Sequence, residues 1–305
     1  MRALVTGGAG FIGSNLVDAL LDAGHEVTVV DNLARGVRDQ VRPEARFVRL
    51  DVADPSLSGV IARAQPDAVF HLAAQIDVRR SMREPLFDAN ANVLGTVNVL
   101  DACRTAGVRR VVFASTGGAV YGDTDTLPTP ENHPLLPASA YGAAKVSAEM
   151  YGEMFQRGGG PEFVALRYGN VYGPRQDPHG EAGVVAIFAQ RLLGGEQTVI
   201  NGDGRQTRDY VFVDDVVRAN VLALASTALG PFNVGTEIET DVNELHSRLS
   251  AICGSADEPI HGAAKTGEQR RSALDTERAR TLLGWTAITS LDEGLRRTVD
   301  HFRAG

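Results

Sequence analysis

The chain has 305 residues and a formal net charge of −8, and 43% of its residues are hydrophobic. That length is enough for a buried core in one large domain or in two modest ones. The lysines and arginines are scattered along the sequence, so no basic face for nucleic acid is expected.

Two isolated cysteines, Cys103 and Cys253, are more typical of a reducing compartment than of a disulfide framework. The first apolar run reaches Gly7 at once, which does not fit a signal peptide, and no later run is long enough to span a membrane. We therefore expect a cytoplasmic protein without a membrane partner.

In the first two-thirds of the chain, short apolar runs alternate with amphipathic stretches. The apolar runs predict buried parallel strands at Ala3–Val5, Val27–Val30, Phe47–Leu50, Ala68–Leu72, Val111–Ala114 and Phe163–Arg167. The stretches between them predict helices at Ile12–Ala23, Leu57–Ala64, Asn92–Ala106 and Tyr141–Arg157. This alternation predicts an α/β fold of the Rossmann type, a doubly wound parallel sheet with helices on both faces.

The pattern changes after about Gly173, where the segment 174–183 is expected to be an ordered loop. Beyond it the sequence predicts helices at Val184–Leu193, Val216–Ala225, Val242–Ile252, Thr276–Leu283 and Leu291–Arg303, a turn at Asn201–Arg205 and a strand at Arg208–Val213. We expect residues 1–173 to form the Rossmann domain, with 208–235 returning to it. Residues 174–207 and 236–305 are expected to form a smaller mixed α/β region.

A glycine-rich segment, from Thr6 through Gly7 and Gly10 to Gly13, follows the first strand and opens the first helix. Glycines in such a turn let the backbone approach a pyrophosphate, whose charge then meets the amino end of the helix. The segment therefore predicts a dinucleotide site, with Gly7, Gly10, Phe11, Ile12 and Gly13 as cofactor-binding residues.

Two acidic residues follow the next strands. Asp31 ends the second strand, where a carboxylate would accept both ribose hydroxyls of the dinucleotide and repel a 2′-phosphate. No arginine follows immediately, so NAD is favoured over NADP. Asp51, after the third strand, is a candidate for the adenine edge. For both residues the alternative is ordinary capping at the end of a strand.

Tyr141 and Lys145 are four residues apart at the start of a predicted helix, which puts both side chains on one face. A phenol has a pKa near ~10, and an adjacent ammonium lowers it by ~1–3 units. At a pKa of ~7, about half of the phenol is ionised at neutral pH. The pair therefore predicts a base that deprotonates an alcohol while hydride leaves the same carbon. The strand that ends in Ser115 and Thr116 supplies hydroxyl groups near it.

Together these segments resemble those of the extended short-chain dehydrogenase/reductases and, within them, the UDP-glucose 4-epimerases. The segments that carry the resemblance are Thr6 to Gly13, His71 to Ala74, Ser115 to Gly122, Tyr141 to Lys145, Arg167 to Arg175 and Gly202 to Val211. The resemblance implies an enzyme with NAD as cofactor, a UDP-sugar as substrate and no metal. It also implies a homodimer, formed through the helices around Asn92–Ala106 and Tyr141–Arg157.

The resemblance implies roles for individual residues. Thr116 would bind the sugar's 4-hydroxyl, Tyr141 would be the base, and Lys145 would hold the nicotinamide ribose. Asn170 would contact the nucleotide diphosphate, and Arg208 and Lys265 would pair with it. Further cofactor contacts are implied at Asn32, Val52, Leu72, Ala73, Ala74, Asn92 and Tyr168. For Arg208 the alternative is an ion pair with Asp209 or Asp214. For Arg175, a role in loop structure and a contact with the substrate are both left open.

This chain departs from the family pattern at two places. The stretch from Thr116 to Val120 is one residue longer than the commonest form, which leaves open whether Ser115 or Thr116 reaches the sugar. Ser272 falls where some members carry a bulky residue beside the hexose, so room for an N-acetyl group is expected.

The residues after Thr116 also bear on the reaction. The related 4,6-dehydratases carry Asp-Glu directly after the strand-end threonine, whereas this chain has Gly117 and Gly118, which cannot move a proton. We therefore expect 4-epimerisation of a UDP-hexose, with UDP-N-acetylhexosamines as further candidates. The alternatives are 4-epimerisation of UDP-glucuronate, another NAD-dependent reaction of a sugar nucleotide, or a non-catalytic NAD-binding regulator.

Overall fold

The computed structural model describes residues 1–179, 183–264 and 269–304. Their strands are β1 (Arg2–Thr6), β2 (Glu26–Asp31), β3 (Arg46–Arg49), β4 (Ala68–His71), β5 (Arg110–Thr116), β6 (Glu162–Tyr168), β7 (Asn170–Tyr172), β8 (Val199–Asn201), β9 (Thr207–Arg208), β10 (Tyr210–Phe212), β11 (Gly230–Val234), β12 (Thr240–Asp241) and β13 (Ile260–Gly262).

The helices are α1 (Phe11–Asp22), α2 (Leu57–Ala64), α3 (Val78–Arg83), α4 (Pro85–Ala89), α5 (Gly95–Ala106), α6 (Gly117–Val120), α7 (Ala140–Arg157), α8 (Val184–Leu193), α9 (Val213–Ala225), α10 (Val242–Cys253) and α11 (Leu291–Ala304). A short 3-10 helix covers Arg38–Gln40, and π-helical turns cover Asn90–Leu94 and Ala279–Leu283.

A seven-stranded parallel sheet lies at the centre, in the order β11-β6-β5-β4-β1-β2-β3. Helices α1 and α9 pack together on one face, and α2, α5 and α7 pack on the other. The order reverses between β1 and β4, which is where open parallel sheets bind ligands, beyond the carboxyl ends of the strands. The predicted Rossmann-type fold is confirmed.

Six of the strands in the sheet agree with the sequence prediction, whereas the seventh, β11, was not among the predicted strands. It contains Pro231, which lacks a backbone N–H and disfavours an interior strand. At the edge of the sheet only one side of the strand is paired, so a proline is tolerated there.

The prediction of one strand at Arg208–Val213 was wrong. The segment forms β9, which pairs with β12, and β10, which pairs with β7, and Val213 already belongs to α9. The cause is Asp209, a fully buried carboxylate between the two strands that accepts the backbone N–H groups of Thr236 and Leu274. The predicted helix at Thr276–Leu283 is reduced mainly to the π-helical turn at Ala279–Leu283.

No helix in the described ranges is both long and apolar enough to cross a membrane. Cys103 is buried and Cys253 is half-buried, and neither forms a disulfide.

Candidate active site

The glycine turn after β1 is a cradle lined by backbone. Gly7 has a φ of +70°, and a Cβ on it would lie 2.6 Å from the backbone nitrogen of Ala73 at the end of β4. A Cβ on Gly13 would lie 2.1 Å from the carbonyl oxygen of Gly7. Side chains at these positions would collide with backbone atoms, so the glycines permit the close backbone packing on which this turn depends.

Helix α1 begins at this turn with its amino end free of competing side chains. Its N-cap is Gly10, no side chain caps the end, and its first turn, which begins with Phe11 and Ile12, holds no acidic residue. The first N–H groups and the positive end of the helix dipole therefore face the cradle, an arrangement suited to a phosphate.

Asp31 lies beside the cradle at the carboxyl end of β2. Its two carboxylate oxygens accept the backbone N–H groups of Ala9 at 3.0 Å and Leu33 at 2.8 Å. Gly36 lies against the carboxylate, where a Cβ would come within 2.9 Å of Oδ1. The capping role expected as the alternative is thus present, and the backbone of Gly36 packs closely against the same carboxylate.

Asn32 and Asp51 meet at the ends of the neighbouring strands β2 and β3. The Asn32 amide donates to Asp51 Oδ2 at 2.8 Å, and Asp51 Oδ1 accepts the N–H of Ala53 at 2.9 Å. Val52, which follows Asp51 directly, is buried against Gly95 at the start of α5. The structure therefore brings Asp31, Asn32 and Asp51 to one edge of the sheet.

The segment after β4 is held by buried polar groups. His71 bonds to the hydroxyls of Thr6, at 2.7 Å, and Thr96, at 3.0 Å. Burial lowers the pKa of His71 to about 3, and the nearby Lys145 contributes to this shift, so the ring is neutral. Leu72, Ala73 and Ala74 follow it and are half-buried along the cradle.

Asn92 lies behind that segment. Its amide accepts the N–H of Gln75 at 2.8 Å, and donates to the carbonyl oxygen of Gln75 at 2.9 Å and to Asp88 at 3.0 Å. Asn92 therefore clamps the backbone of Gln75, and its contact with the cofactor stays a prediction.

Helix α7 carries Tyr141 and Lys145 on its first two turns. Ser139 caps the helix by accepting the N–H of Gly142. The N–H of Tyr141 donates to the hydroxyl of Ser81 on α3, at 3.1 Å. The Lys145 ammonium donates to the carbonyl oxygen of Ala114 on β5, at 2.7 Å, and lies 5.8 Å from the centroid of the Tyr141 ring. The predicted pair is thus brought together at the carboxyl end of β5.

The electrostatics of the pair differ from the expectation. Burial raises the pKa of Tyr141 above its usual value, and the charge of Asp88 raises it further. Burial also lowers the pKa of Lys145 to about 8, although Glu149 and Asp88 oppose that shift. Removal of both groups from water therefore outweighs the acidifying effect that Lys145 was expected to have on Tyr141.

Ser115 and Thr116 point to different surroundings. The hydroxyl of Ser115, which is 3% exposed, donates to the buried carboxylate of Glu149. Thr116 is half-buried, and its Oγ1 lies 3.9 Å from the Cβ position of Gly118. The Asn170 Oδ1 atom lies 3.6 Å from the same position. The structure thus brings Thr116 and Asn170 together and commits Ser115 to Glu149.

Tyr168 is buried at the end of β6, and its hydroxyl is bonded to the amide of Asn220. Its phenol group therefore joins β6 to α9, and its contact with the cofactor stays a prediction.

Arg208 is half-buried on β9, and one of its guanidinium nitrogens donates to the carbonyl oxygen of Thr207 at 2.7 Å. The carboxylates considered as its partners have other contacts: Asp209 binds Thr236 and Leu274, and Asp214 pairs with Arg297. Lys265 lies outside the described residues.

Ser272 is buried, 4% exposed, two residues before Leu274. The Leu274 side chain covers Gly117, where a Cβ would come within 2.4 Å of it. Arg175 pairs with Asp18 on α1 at 2.6 Å, so its contact in the structure is with the protein itself.

Three residues that hold the site together were not expected from the sequence: Gln75, Ser81 and Asp88. Their contacts join different elements, so no local pattern identifies them. The one local signal is Asp77, which caps α3 by accepting the N–H of Arg80 and so fixes the helix that carries Ser81.

The residues present fit a dinucleotide. The glycine cradle would hold a pyrophosphate. The edge formed by Asp31, Asn32 and Asp51 would hold an adenosine. The Tyr141–Lys145 pair lies on the other side of the point where the strand order reverses.

Comparison with known proteins agrees with this geometry. Residues 3–235 match the model of the NAD dependent epimerase/dehydratase family. The chain is 50% identical to the UDP-glucose 4-epimerase of Mycolicibacterium smegmatis over 309 residues, which cover 99% of each chain.

Solved structures are equally similar. A UDP-glucose 4-epimerase from Thermotoga maritima, crystallised with UDP-glucose, has a TM-score of 0.98 and 48% identity, over 100% of this chain and 99% of that one. A UDP-glucose 4-epimerase from Thermus thermophilus, in complex with NAD, has a TM-score of 0.95 and 44% identity over the full length of both chains.

Proposed function

This chain belongs to the NAD-dependent epimerase/dehydratase family, and we propose that it interconverts UDP-hexoses by inverting the configuration at C4. It is an isomerase of the extended short-chain dehydrogenase/reductase type, and NAD is its cofactor. The reaction passes through a transient 4-keto sugar.

The observation that carries this proposal is the position of Tyr141 and Lys145. Both lie at the carboxyl end of β5, on the same edge of the sheet as the glycine cradle, with the Lys145 ammonium fixed to Ala114. This edge is where a dinucleotide and a sugar would have to meet for hydride to pass between them.

In this site Tyr141 takes the proton of the 4-hydroxyl group and later returns it. Bound NAD supplies the acceptor and donor for the hydride at C4. Thr116 orients the hydroxyl, and Lys145 holds the nicotinamide ribose and keeps positive charge beside the phenol. Asn170, 3.6 Å from the same open Cβ position that Thr116 faces, supports the placement of the substrate there.

Inversion requires the 4-keto sugar to turn over while the nucleotide stays bound. We infer that Arg208 and Lys265 anchor the diphosphate and that the hexose has few fixed polar contacts. An arginine fork suits a phosphate better than a lysine does, so Arg208 is the stronger candidate.

A dehydratase would need an acid and a base after Thr116. Gly117 and Gly118 offer neither, and at position 117 the Leu274 side chain occupies the space that an acidic side chain would need. Both observations favour epimerisation over elimination of water.

The test is to incubate the purified protein with UDP-glucose without added cofactor or reductant. We expect UDP-galactose, and we expect Tyr141→Phe to lower kcat by roughly 10²–10⁴-fold, the usual contribution of a general base. A 4-keto-6-deoxy product, or no product from a folded protein that holds NAD, would contradict the proposal. UDP-glucuronate in the same assay tests the alternative substrate.

We also propose that UDP-N-acetylhexosamines are substrates, since Ser272 is small at the position where some family members carry a bulky residue beside the hexose. UDP-N-acetylglucosamine should turn over within about tenfold of UDP-glucose, because each ~1.4 kcal/mol of steric clash costs a factor of ten. Ser272→Tyr should remove that activity and keep the activity on UDP-glucose. A thousandfold deficit in the unchanged protein would contradict this prediction.

Further proposals concern the whole chain. We propose a homodimer, formed through α5 and α7, and a cytoplasmic location, which the two free cysteines support. We also propose the division expected from the sequence, in which residues 1–173 and 208–235 bind NAD and residues 174–207 and 236–305 bind the sugar nucleotide.

A further inference from the structure

Asp88 on α4 is a buried carboxylate that the catalytic roles above do not use. It is 1% exposed, and its Oδ1 accepts the side-chain amides of Gln75 at 2.8 Å and Asn92 at 3.0 Å. Its Oδ2 is equally buried and has no hydrogen-bond partner in the part of the chain that the structure describes. Such burial of a carboxylate oxygen is costly unless its charge is compensated nearby.

The charge of Asp88 acts on the catalytic pair. Helix α4 packs against α7, which carries Tyr141 and Lys145. Burial has the largest effect on the pKa of both groups. The Glu149 carboxylate is the next largest influence on Lys145, and the Asp88 carboxylate raises the pKa of both Tyr141 and Lys145. An ammonium that is buried at Lys145 is stabilised by this field, and a phenolate at Tyr141 is opposed by it.

Other charges surround the start of α7. On α7 itself the nearby charge is Glu149, and on the surrounding elements the charges are His71, Arg79, Arg80, Arg83, Glu84, Asp101, Arg104, Arg110, Glu162 and Arg167.

Most of these charges are compensated or exposed. Glu149 is bound through both oxygens to Arg167, and His71 is neutral. Arg80 pairs with Glu84, and Arg104 with Asp101, on exposed surfaces. Arg110 binds Glu162 at the opposite end of β5, and Arg79 and Arg83 are exposed. Among the described residues, Asp88 is thus the buried carboxylate near the pair that has no cation bonded to it.

We propose that the buried Asp88 carboxylate is the counter-charge of the Tyr141–Lys145 pair, a positioning residue that acts through its field and through the Gln75–Asn92 clamp. This inference rests on the proposed function, because it assigns a role within that active site. With the charge of Asp88 present, Lys145 remains an ammonium although it is only 3% exposed. Without it, the Lys145 ammonium keeps only the field of Glu149 and loses stability, and the Tyr141 phenol ionises more readily.

The test is Asp88→Asn, which removes the charge and keeps an oxygen for Gln75 and Asn92. Both Tyr141 and Lys145 should then lose their protons at lower pH, by about one pH unit, the lower end of the effect of a neighbouring charge. The ionisation of Tyr141 is measured by the ultraviolet absorbance of the phenolate. The absorbance of the same protein carrying Tyr141→Phe is subtracted, which removes the signal of the other tyrosines. Both limbs of the pH profile of kcat should move toward acid by a similar amount.

Glu84→Gln is the matched control, since it removes an exposed carboxylate at the start of the same helix and should leave both measurements unchanged. If Asp88→Asn does not fold, Asp88→Ala replaces it, because it also removes the charge. It should shift the titration in the same direction. A folded Asp88 variant with an unshifted Tyr141 titration would overturn the inference and leave Asp88 a purely structural residue.

The absorbance titration requires no turnover. If the unchanged protein converts no UDP-hexose, the proposed function fails, while the titration still decides the role of Asp88.

Discussion

Neighbouring residues on one strand serve different purposes in this protein. Ser115 and Thr116 end β5, and alternate side chains of a strand face opposite sides of the sheet. Ser115 therefore joins the buried Glu149–Arg167 pair, and Thr116 faces Asn170 and the site. This geometry favours Thr116 as the hydroxyl that contacts the sugar, a choice that the sequence left open.

His71 gives a prediction at the scale of one residue. Its pKa in the folded chain is depressed from 6.5 to about 3 by burial. Below pH 6.5, His71 binds a proton in the unfolded chain but stays neutral in the folded chain. The free energy of unfolding therefore falls as the pH falls from 6.5 toward 3. The loss should be about 1.4 kcal/mol per pH unit.

Urea unfolding at several pH values between about 7 and about 4.5 measures this loss, with His71→Gln as the reference. The range begins above the ordinary pKa of histidine. The difference in the free energy of unfolding between the two proteins should change with pH by the stated slope. Parallel curves for the two proteins would contradict the buried, neutral imidazole.

At the scale of elements, the glycine cradle is the most demanding local structure. Gly13 lies in the first turn of α1, and Gly13→Ala places a Cβ 2.1 Å from the carbonyl oxygen of Gly7, which precedes the helix. We expect the purified variant to have lost most of its bound NAD, measured by the absorbance of the released cofactor after denaturation.

Gly59→Ala is the control for that variant. It lies inside α2, where the added Cβ meets only the flexible end of Arg63, at 3.3 Å. It should keep its NAD and gain roughly 0.5–1 kcal/mol of stability from the better helix former. Full NAD content in Gly13→Ala would contradict the role assigned to the cradle.

The elements also show what the sequence can predict. The glycine turn and the Tyr141–Lys145 spacing are local patterns, so their place in the fold could be predicted before the structure was known. The bond from the N–H of Tyr141 to Ser81 and the clamp of Asn92 on Gln75 join distant segments. Their geometry depends on how α3 and α4 pack, which no local pattern specifies.

The same limit explains the error about Tyr141. The spacing of four residues correctly brings Lys145 close to it, and the sequence alone then suggests an acidified phenol. Burial depends on the whole cleft, and in the structure it raises the pKa of the phenol. The hydrogen bonds of Asn92 to Gln75 and of Tyr168 to Asn220 were not expected for a related reason, because they join separate segments of the chain.

At the scale of the whole molecule, an apolar face remains exposed on the helices proposed to form the dimer. Met150 and Met154 on α7 are 67% and 50% exposed, and Leu94, just before α5, is 58% exposed. Contiguous exposed apolar side chains mark interaction surfaces on soluble proteins. We therefore predict that Met154→Glu gives a monomer in sedimentation velocity experiments in which the unchanged protein is a dimer.

Ile288→Glu is the control for the dimer, since Ile288 is 74% exposed outside α5 and α7 and its replacement should leave the assembly unchanged. A monomeric unchanged protein at micromolar concentration would contradict the proposed interface.

The central claim is that the hydrogen removed from C4 of the sugar returns to C4 of the same sugar, within a site whose base is Tyr141. UDP-glucose carrying deuterium at C4 tests it most directly, with NMR used to follow the product in ordinary water. We predict UDP-galactose that retains the deuterium at C4. Loss of the deuterium to solvent during conversion, or conversion at an unchanged rate by Tyr141→Phe, would contradict the account.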